Sequence, residues 1–414
     1  MNSYFFKSAL LPNGWQSDVR VETQHGCYHS VISDTKPQAQ DQIFDVVIPQ
    51  MPNIHSHVFQ RAMAGLSEYR SHQDDDFWSW RDLMYHLAGD MDADRLYKSA
   101  KNCYTEMKQA GYSTVCEFHY LHRSKNDGSD YLTHSKVILK AAADVGLNIT
   151  LLPVLYAYAG VGEQPLSVEQ KRFELSVAEY LDLLNQLQRC LTTGQKLGVC
   201  FHSLRAVSAK QMHEVIGNTP DDWPIHIHIA EQQVEVDALL AQTGKRPVEY
   251  LYAEFEVNQR WCLVHATHLN DKEVELMAQS GAVAGLCPLT EANLGDGIFP
   301  MPTYMQQSGR FGIGSDSHIE INPAGELKML EYSQRLALHK RNVCCDSVQP
   351  HVGTWLWLHA VTGGAQITAQ NVGGIALRQQ AGIINLNTGP ADSPDSVLDA
   401  YVFSDWVDAN PIDL

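Results

Sequence analysis

Four short segments carry side chains able to hold a divalent metal and to move protons around it. His55-Ser56-His57 comes first; in an extended strand residues i and i+2 face one way, so both imidazoles can reach one ion. Pro224–Gln232 reads PIHIHIAEQ, where His226 and His228 share a face by the same parity and Glu231 follows at the turn. Arg260–His265, RWCLVH, ends in a further histidine, and Ile313–His318, IGSDSH, brings Asp316 to the end of an apolar run. Singly these are weak signals, since a lone histidine is usually a satisfied core residue and a strand-ending aspartate is usually a cap. Together they make a histidine and carboxylate set normal for Zn2+ or Fe2+. Such an ion lowers the pKa of its water from about 16 toward about 7. Proton transfer then needs neighbouring groups, and Glu231, His265 and Asp316 are available.

Those segments matter only if the fold gathers them. Short apolar, β-branched stretches alternate with helical patterns, and the strands expected are Met51–His57, Thr114–Leu121, Asn148–Tyr156, Leu197–Ala206, Pro224–Gln232, Arg260–Leu269, Gly281–Pro288 and Arg310–His318. Helical patterns between them cover Ala93–Ala110, Ser135–Val145, Val168–Cys190, Ala209–Val215 and Asp271–Gln279. Eight strands in this alternation predict a (β/α)8 TIM barrel. A doubly wound open sheet would carry a Gly-rich turn after its first strand, and none follows Met51–His57. The strand ends are polar: His55/His57, His119/Tyr120, His202/Arg205, His228/Glu231, His265/His268 and Asp316/His318. In a barrel these ends converge on one mouth. The first 48 residues and the tail after Gly363 instead show short alternating pieces: Ser17–Glu22, Tyr28–Ser33, Ile43–Ile48, Gly382–Leu386 and Val397–Phe403. They predict a small β-sandwich domain built from both termini, 1–48 and 364–414, around a barrel at 49–363.

Charge and composition remove other classes. The chain of 414 residues has 30 Lys and Arg against 48 Asp and Glu, a formal charge of −18. That field argues against nucleic acid or an anionic membrane as partner. No run reaches the roughly 20 apolar residues of a membrane span, and the first residues lack a signal-peptide pattern. Nine cysteines, an odd number without a CxxC pair, fit reduced thiols and a cytoplasmic location.

HSH, the His-x-x-Glu step, the sixth-strand histidine and the SDSH loop resemble the amidohydrolase superfamily, metal-dependent hydrolases on a distorted (β/α)8 barrel. The fourth segment, LGVCFHSLRA, lacks the lysine that bridges two metals in binuclear members, so the resemblance implies a single metal and a deamination. Longer blocks narrow it. MPNIHSHVFQRAMAGL, WSWRDLMY, EFHYLH, HSLRAV, GLCPLTEANLGDGIFP and GSDSHIEINPAGELKMLEYSQRL are similar to the formimidoylglutamate deiminases of histidine degradation, over about Leu10 to Leu338.

That resemblance implies metal ligands His55, His57, His228 and Asp316, with Zn2+ first and Fe2+ second. It implies acid–base groups Glu231, His265 and Asp316, and substrate contacts Gln60, Arg81, Tyr120, His202 and Arg205. The substrate implied is a small anionic dicarboxylate, and the assembly a homodimer. Two carboxylates call for planar, permanently charged guanidinium donors, which Arg81 and Arg205 supply. Without the resemblance, Arg81 reads equally as an exposed helix arginine and His202 as a core histidine. The chain departs from the pattern at Gln50, where glycine is usual, at Gly325-Glu326, where paired glutamates are usual, and in GIINLNTGPADS, where the small domain is expected to be trimmed. Two rivals stand: a related enzyme deaminating a purine, pyrimidine or triazine ring, and a barrel that binds a metabolite without turnover.

Overall fold

The two ends of the chain build one sheet. The computed structural model describes residues 2–69, 76–125, 127–387 and 393–414. Strands β1 (Asn2–Leu11), β2 (Gly14–Gln24), β3 (Cys27–Ile32) and β4 (Gln42–Pro49) come first. β1 pairs antiparallel with β2 and parallel with β4, and β2 pairs with β3.

Next come β5 (Met51–Ser56), β6 (Tyr112–His119), β7 (Asn148–Leu155), β8 (Gln195–Leu197), β9 (Val199–Ser203), β10 (Ile225–Ile229), β11 (Trp261–His265), β12 (Val283–Leu286) and β13 (Arg310–Ile313). All pair in parallel. β13 meets β5 and β6 meets β7, so eight of them close a barrel while β8 is a short addition on β7. β6 and β10 are buried at every position, as strands covered on both faces must be. β14 (Gly382–Leu386) then pairs antiparallel with β4, and β15 (Ala409–Asp413) with β14, completing the six-stranded terminal sheet.

All eight expected barrel strands are present, mostly shorter at their polar ends, where the chain leaves the sheet. The fourth is split at Gly198, where a Cβ would lie 2.6 Å from Leu152 Cδ2 and 3.0 Å from the Pro224 carbonyl. Two expectations fail. Val168–Cys190 is a short 3-10 turn, Glu169–Arg172, followed by a separate helix, Val177–Gln188. Ser176 starts that helix with a capping box, its hydroxyl accepting from Glu179 N while Glu179 accepts from Ser176 N. Val397–Phe403 is no strand but the end of a helix, Pro394–Phe403, capped by Ser393 with proline in the first turn. Of GIINLNTGPADS, the first five residues form β14, and 388–392 lie outside the described residues.

Gln50 is buried between the two sheets, its amide donating to Asp413 Oδ1 at 3.2 Å and its side chain occupying the space above Gly382. The departure at this position therefore pins the terminal sheet to the barrel. Among the described residues, no helix is long and apolar enough to cross a membrane.

Candidate active site

The backbone at the barrel mouth is locked before any side chain is placed. Asp316 N donates to the His55 carbonyl at 3.0 Å, and His57 N donates to the Asp316 carbonyl at 3.1 Å. Gly314 lets these segments touch: a Cβ there would sit 2.7 Å from His55 Cβ and 2.8 Å from its carbonyl oxygen. Ala230, His265, Ala266 and Asp316 all have positive φ, from 42° to 67°. Such residues cost about 1–3 kcal/mol each and persist only where surroundings over-determine them. Here they turn the chain sharply at the ends of β10, β11 and β13, aiming Glu231, His265 and Asp316 over the barrel.

Asp316 Oδ1 and the Nε2 atoms of His57 and His228 gather round His55 Nε2. His55 Nε2 lies 3.1 Å from His57 Nε2, 3.0 Å from His228 Nε2 and 3.3 Å from Asp316 Oδ1, which is 3.2 Å from His57 Nε2. His57 gives its Nδ1 proton to the Phe118 carbonyl at 2.8 Å, so its Nε2 presents a lone pair. Burial drives His55 down to about 3 and lowers His57 and His228 as well, which leaves neutral imidazoles, the state that binds metal. Lone pairs facing one another at these distances gain nothing unless a cation lies among them, so the donor set fits a divalent ion. His226 shares the parity of His228 but gives its Nε2 to the Ile367 carbonyl at 3.1 Å, deeper in the barrel.

Around this centre one cavity is lined by His57, Gln60, Arg81, Tyr120, His202, Arg205, His228, Glu231, His265 and Asp316. Every expected site residue except His55 thus lines one space, and His55 is fully buried against His57, His228 and Asp316. His265 Nε2 is 3.8 Å from Glu231 Oε1 and 3.9 Å from Asp316 Oδ2. Burial opposes charge on His265, but the carboxylates of Glu231, Glu291 and Asp316 outweigh it and hold the imidazolium up to about 10. Burial also raises Glu231, with Asp316 and Glu291 adding to it against His265 and Arg205. His202 is no core histidine: half-buried, it sits between Tyr156 and His228, at ring distances of 4.6 and 5.1 Å. Arg81 stacks on Trp78 at 4.4 Å, and neither its Nε nor Arg205 Nη1 has a hydrogen-bond partner among the described residues although both atoms are buried.

Other polar residues at strand ends turn away. His119 packs on His122, His268 braces the Asp296 carbonyl at 2.8 Å, and His318 meets the Ser56 hydroxyl at 3.1 Å. Conversely, the seventh strand contributes residues that the sequence reading left without a role. Glu291, in the short helix Pro288–Leu294, faces His265 Nδ1 at 3.4 Å. Asp296 accepts from the Gln232 amide and is pushed up to about 9 by burial and by Glu231. Both stand in the block GLCPLTEANLGDGIFP, and their signal was place alone: six other strand ends already pointed into the mouth.

Residues 46–411 match the Amidohydrolase family. The formimidoylglutamate deiminase of Pseudomonas aeruginosa is 45% identical, over 98% of this chain and 91% of its own. A solved amidohydrolase from Brucella melitensis is 39% identical, covering 99% of this chain and 92% of its own with a TM-score of 0.94. The 5-methylthioadenosine/S-adenosylhomocysteine deaminase of Pyrococcus abyssi stands farther off, 25% identical over 72% of this chain and 65% of its own. A metal-ready histidine and carboxylate cluster at the mouth of a closed barrel, with these likenesses along nearly the whole length, means that the chain belongs to the amidohydrolase family, among its formimidoylglutamate deiminases.

Proposed function

We propose that the protein hydrolyses N-formimidoyl-L-glutamate to N-formyl-L-glutamate and ammonia, with one divalent ion, zinc by preference, held by His55, His57, His228 and Asp316. The observation that carries the reading is the pair Arg81 and Arg205. In a chain of charge −18, two arginines whose buried N–H groups find no partner among the described residues open onto the cavity that holds the donor cluster and Glu231. A substrate with two carboxylates supplies what they lack. A purine, pyrimidine or triazine ring would leave both unpaired, and a site that only binds would not need Glu231 and His265 beside the donor cluster.

When bound, the ion supplies Lewis acidity that makes water a nucleophile near neutral pH. The side chains do the rest. Asp316 receives the proton of the attacking water as the water oxygen adds to the formimidoyl carbon. Glu231, protonated more readily than an ordinary carboxyl, gives its proton to the imine nitrogen. The cationic His265 faces the oxygen on which negative charge develops, a preorganised partner in a water-poor site. The carbon–nitrogen bond to the former imine nitrogen then breaks, Asp316 passing the proton taken from water to the departing ammonia while the remaining proton of the added oxygen returns to Glu231, and the formyl group stays on the glutamate nitrogen. Arg81, Arg205, Gln60, Tyr120 and His202 hold the carboxylates, so that remote binding becomes orientation at the reacting carbon. A cytoplasmic location belongs to the same reading; all nine cysteines are free thiols, as a reducing compartment keeps them.

The test is ammonia release by zinc-loaded protein from formimidoylglutamate, adenosine and cytosine, with metal content measured on the same sample. Release from formimidoylglutamate alone is expected. None from it, or release only from a ring substrate, would overturn the assignment.

A further inference from the structure

Beyond the two arginines, the cavity wall carries a pair of tyrosines with hydrogen atoms to give. Tyr85 lies on the helix Phe77–Asp90 and Tyr156 just past the end of β7, and both line the cavity. Between them sits Gln170, buried in the 3-10 turn Glu169–Arg172. Its orientation is fixed by local chemistry: Gln170 Oε1 accepts from Ser167 N at 3.0 Å, so Nε2 must face the other way. That one amide nitrogen donates to Tyr85 Oη at 3.2 Å and to Tyr156 Oη at 2.9 Å. An amide nitrogen has two hydrogens, and both are spent. Each phenol therefore acts as acceptor towards Gln170 and keeps its own hydrogen for another partner. Among the described residues neither hydroxyl donates to a protein acceptor.

The surroundings state what that partner must be. Arg81 lies 5.4 Å from the Tyr85 ring centroid, and Arg205 is influenced electrostatically by both phenols. Tyr156 is one ring removed from the donor cluster, beyond His202, whereas Tyr120 packs directly on His57 at 5.1 Å. The wall thus grades outward from Tyr120 and Gln60, beside the reacting centre, to Tyr85 and Tyr156. Two cations and two oriented O–H donors, with no carboxylate among the described residues paired to the arginines, form a receptor for an anionic group with several acceptor lone pairs.

Resting on the formimidoylglutamate reading, we infer that Tyr85 and Tyr156, oriented by Gln170, bind the side-chain carboxylate of the substrate together with Arg81 and Arg205. Tyr85 and Tyr156 are specificity-determining contacts, and Gln170 is a positioning residue that acts through them. The site then measures the reach from the formimidoyl carbon to the second carboxylate, and so selects glutamate derivatives over amino acids with uncharged side chains.

Tyr85→Phe and Tyr156→Phe remove one hydroxyl each and leave the ring packing in place. Ammonia release is compared for N-formimidoyl-L-glutamate and N-formimidoyl-L-2-aminobutyrate, which lacks the second carboxylate. Each variant is expected to lose about 10- to 100-fold in kcat/KM on the glutamate substrate. On the aminobutyrate analogue the loss should stay within about threefold. Gln170→Met should reproduce this substrate-selective loss, with an unchanged unfolding temperature separating it from a folding defect. Equal losses on both substrates, or no loss on either, would overturn the inference. Wild-type protein inert towards formimidoylglutamate would instead bring down the functional reading on which it rests.

Discussion

Glu291→Gln tests how the imidazole beside the reacting centre is kept charged. Glu291 Oε1 lies 3.4 Å from His265 Nδ1 and accepts from Cys287 N at 2.9 Å, and the side chain is 6% exposed. Glutamine retains the acceptor for Cys287 and the volume but removes the negative charge. Opposite unit charges 3.4 Å apart attract by about 5 kcal/mol at an effective dielectric of about 20. Desolvation offsets much of this, leaving the roughly 1.5–3 kcal/mol net of a charged hydrogen bond. If His265 stabilises charge that builds on the attacking oxygen, that difference falls on the transition state. The expected kcat loss is roughly 10- to 150-fold, with KM changed by less than about threefold. Steady-state ammonia release gives both constants, and metal analysis should show unchanged content, because Glu291 touches none of the four donor atoms. A kcat within about twofold of wild type would refute the account of His265 as a carboxylate-supported cation. Glu291→Ala should be worse and less stable, since it also strands the Cys287 N–H.

Other perturbations separate the remaining roles. Glu231→Gln should keep its metal and lose about 10²- to 10⁴-fold in kcat; near-normal turnover would remove it from proton transfer. Chelation should abolish ammonia release and added zinc should restore it, while Asp316→Asn should bind metal poorly; a chelated protein at full rate would refute the metal's role. Arg205→Lys should raise KM for formimidoylglutamate by at least about tenfold, because lysine cannot present two parallel donors; an unchanged KM counts against carboxylate binding there. Glu235, which accepts from Glu231 N at 3.1 Å, is pushed up from 4.5 to about 7 by burial, against the pull of Arg205. A carboxyl raised on folding contributes stability that is full below about 4.5 and lost as pH climbs to about 7, roughly 3 kcal/mol in all. Glu235→Gln should therefore gain unfolding temperature relative to wild type between pH 5 and pH 8, and a pH-independent difference would refute the linkage.

Much of this protein was legible in local pattern. Eight apolar segments alternating with helices gave the barrel, because a strand buried on both faces leaves a run that neighbouring residues alone reveal. The period of two gave His55 and His57 a common face, and the polar strand ends named the mouth. Local pattern also misled where a short apolar run fits two elements: Val397–Phe403 became helix because Ser393 and Pro394 start one there. Which strand-end residues face the cavity was a tertiary decision. His202 turns in while His119, His268 and His318 turn out, and the direction depends on backbone turns at positive φ held by contacts between strands far apart in the chain. The roles of Glu291, Asp296, Tyr85 and Tyr156 arise the same way. Nothing next to them in sequence marks them, and they acquire a function only when barrel closure sets them beside His265, Glu231 and the two arginines, where burial strengthens every charge they share.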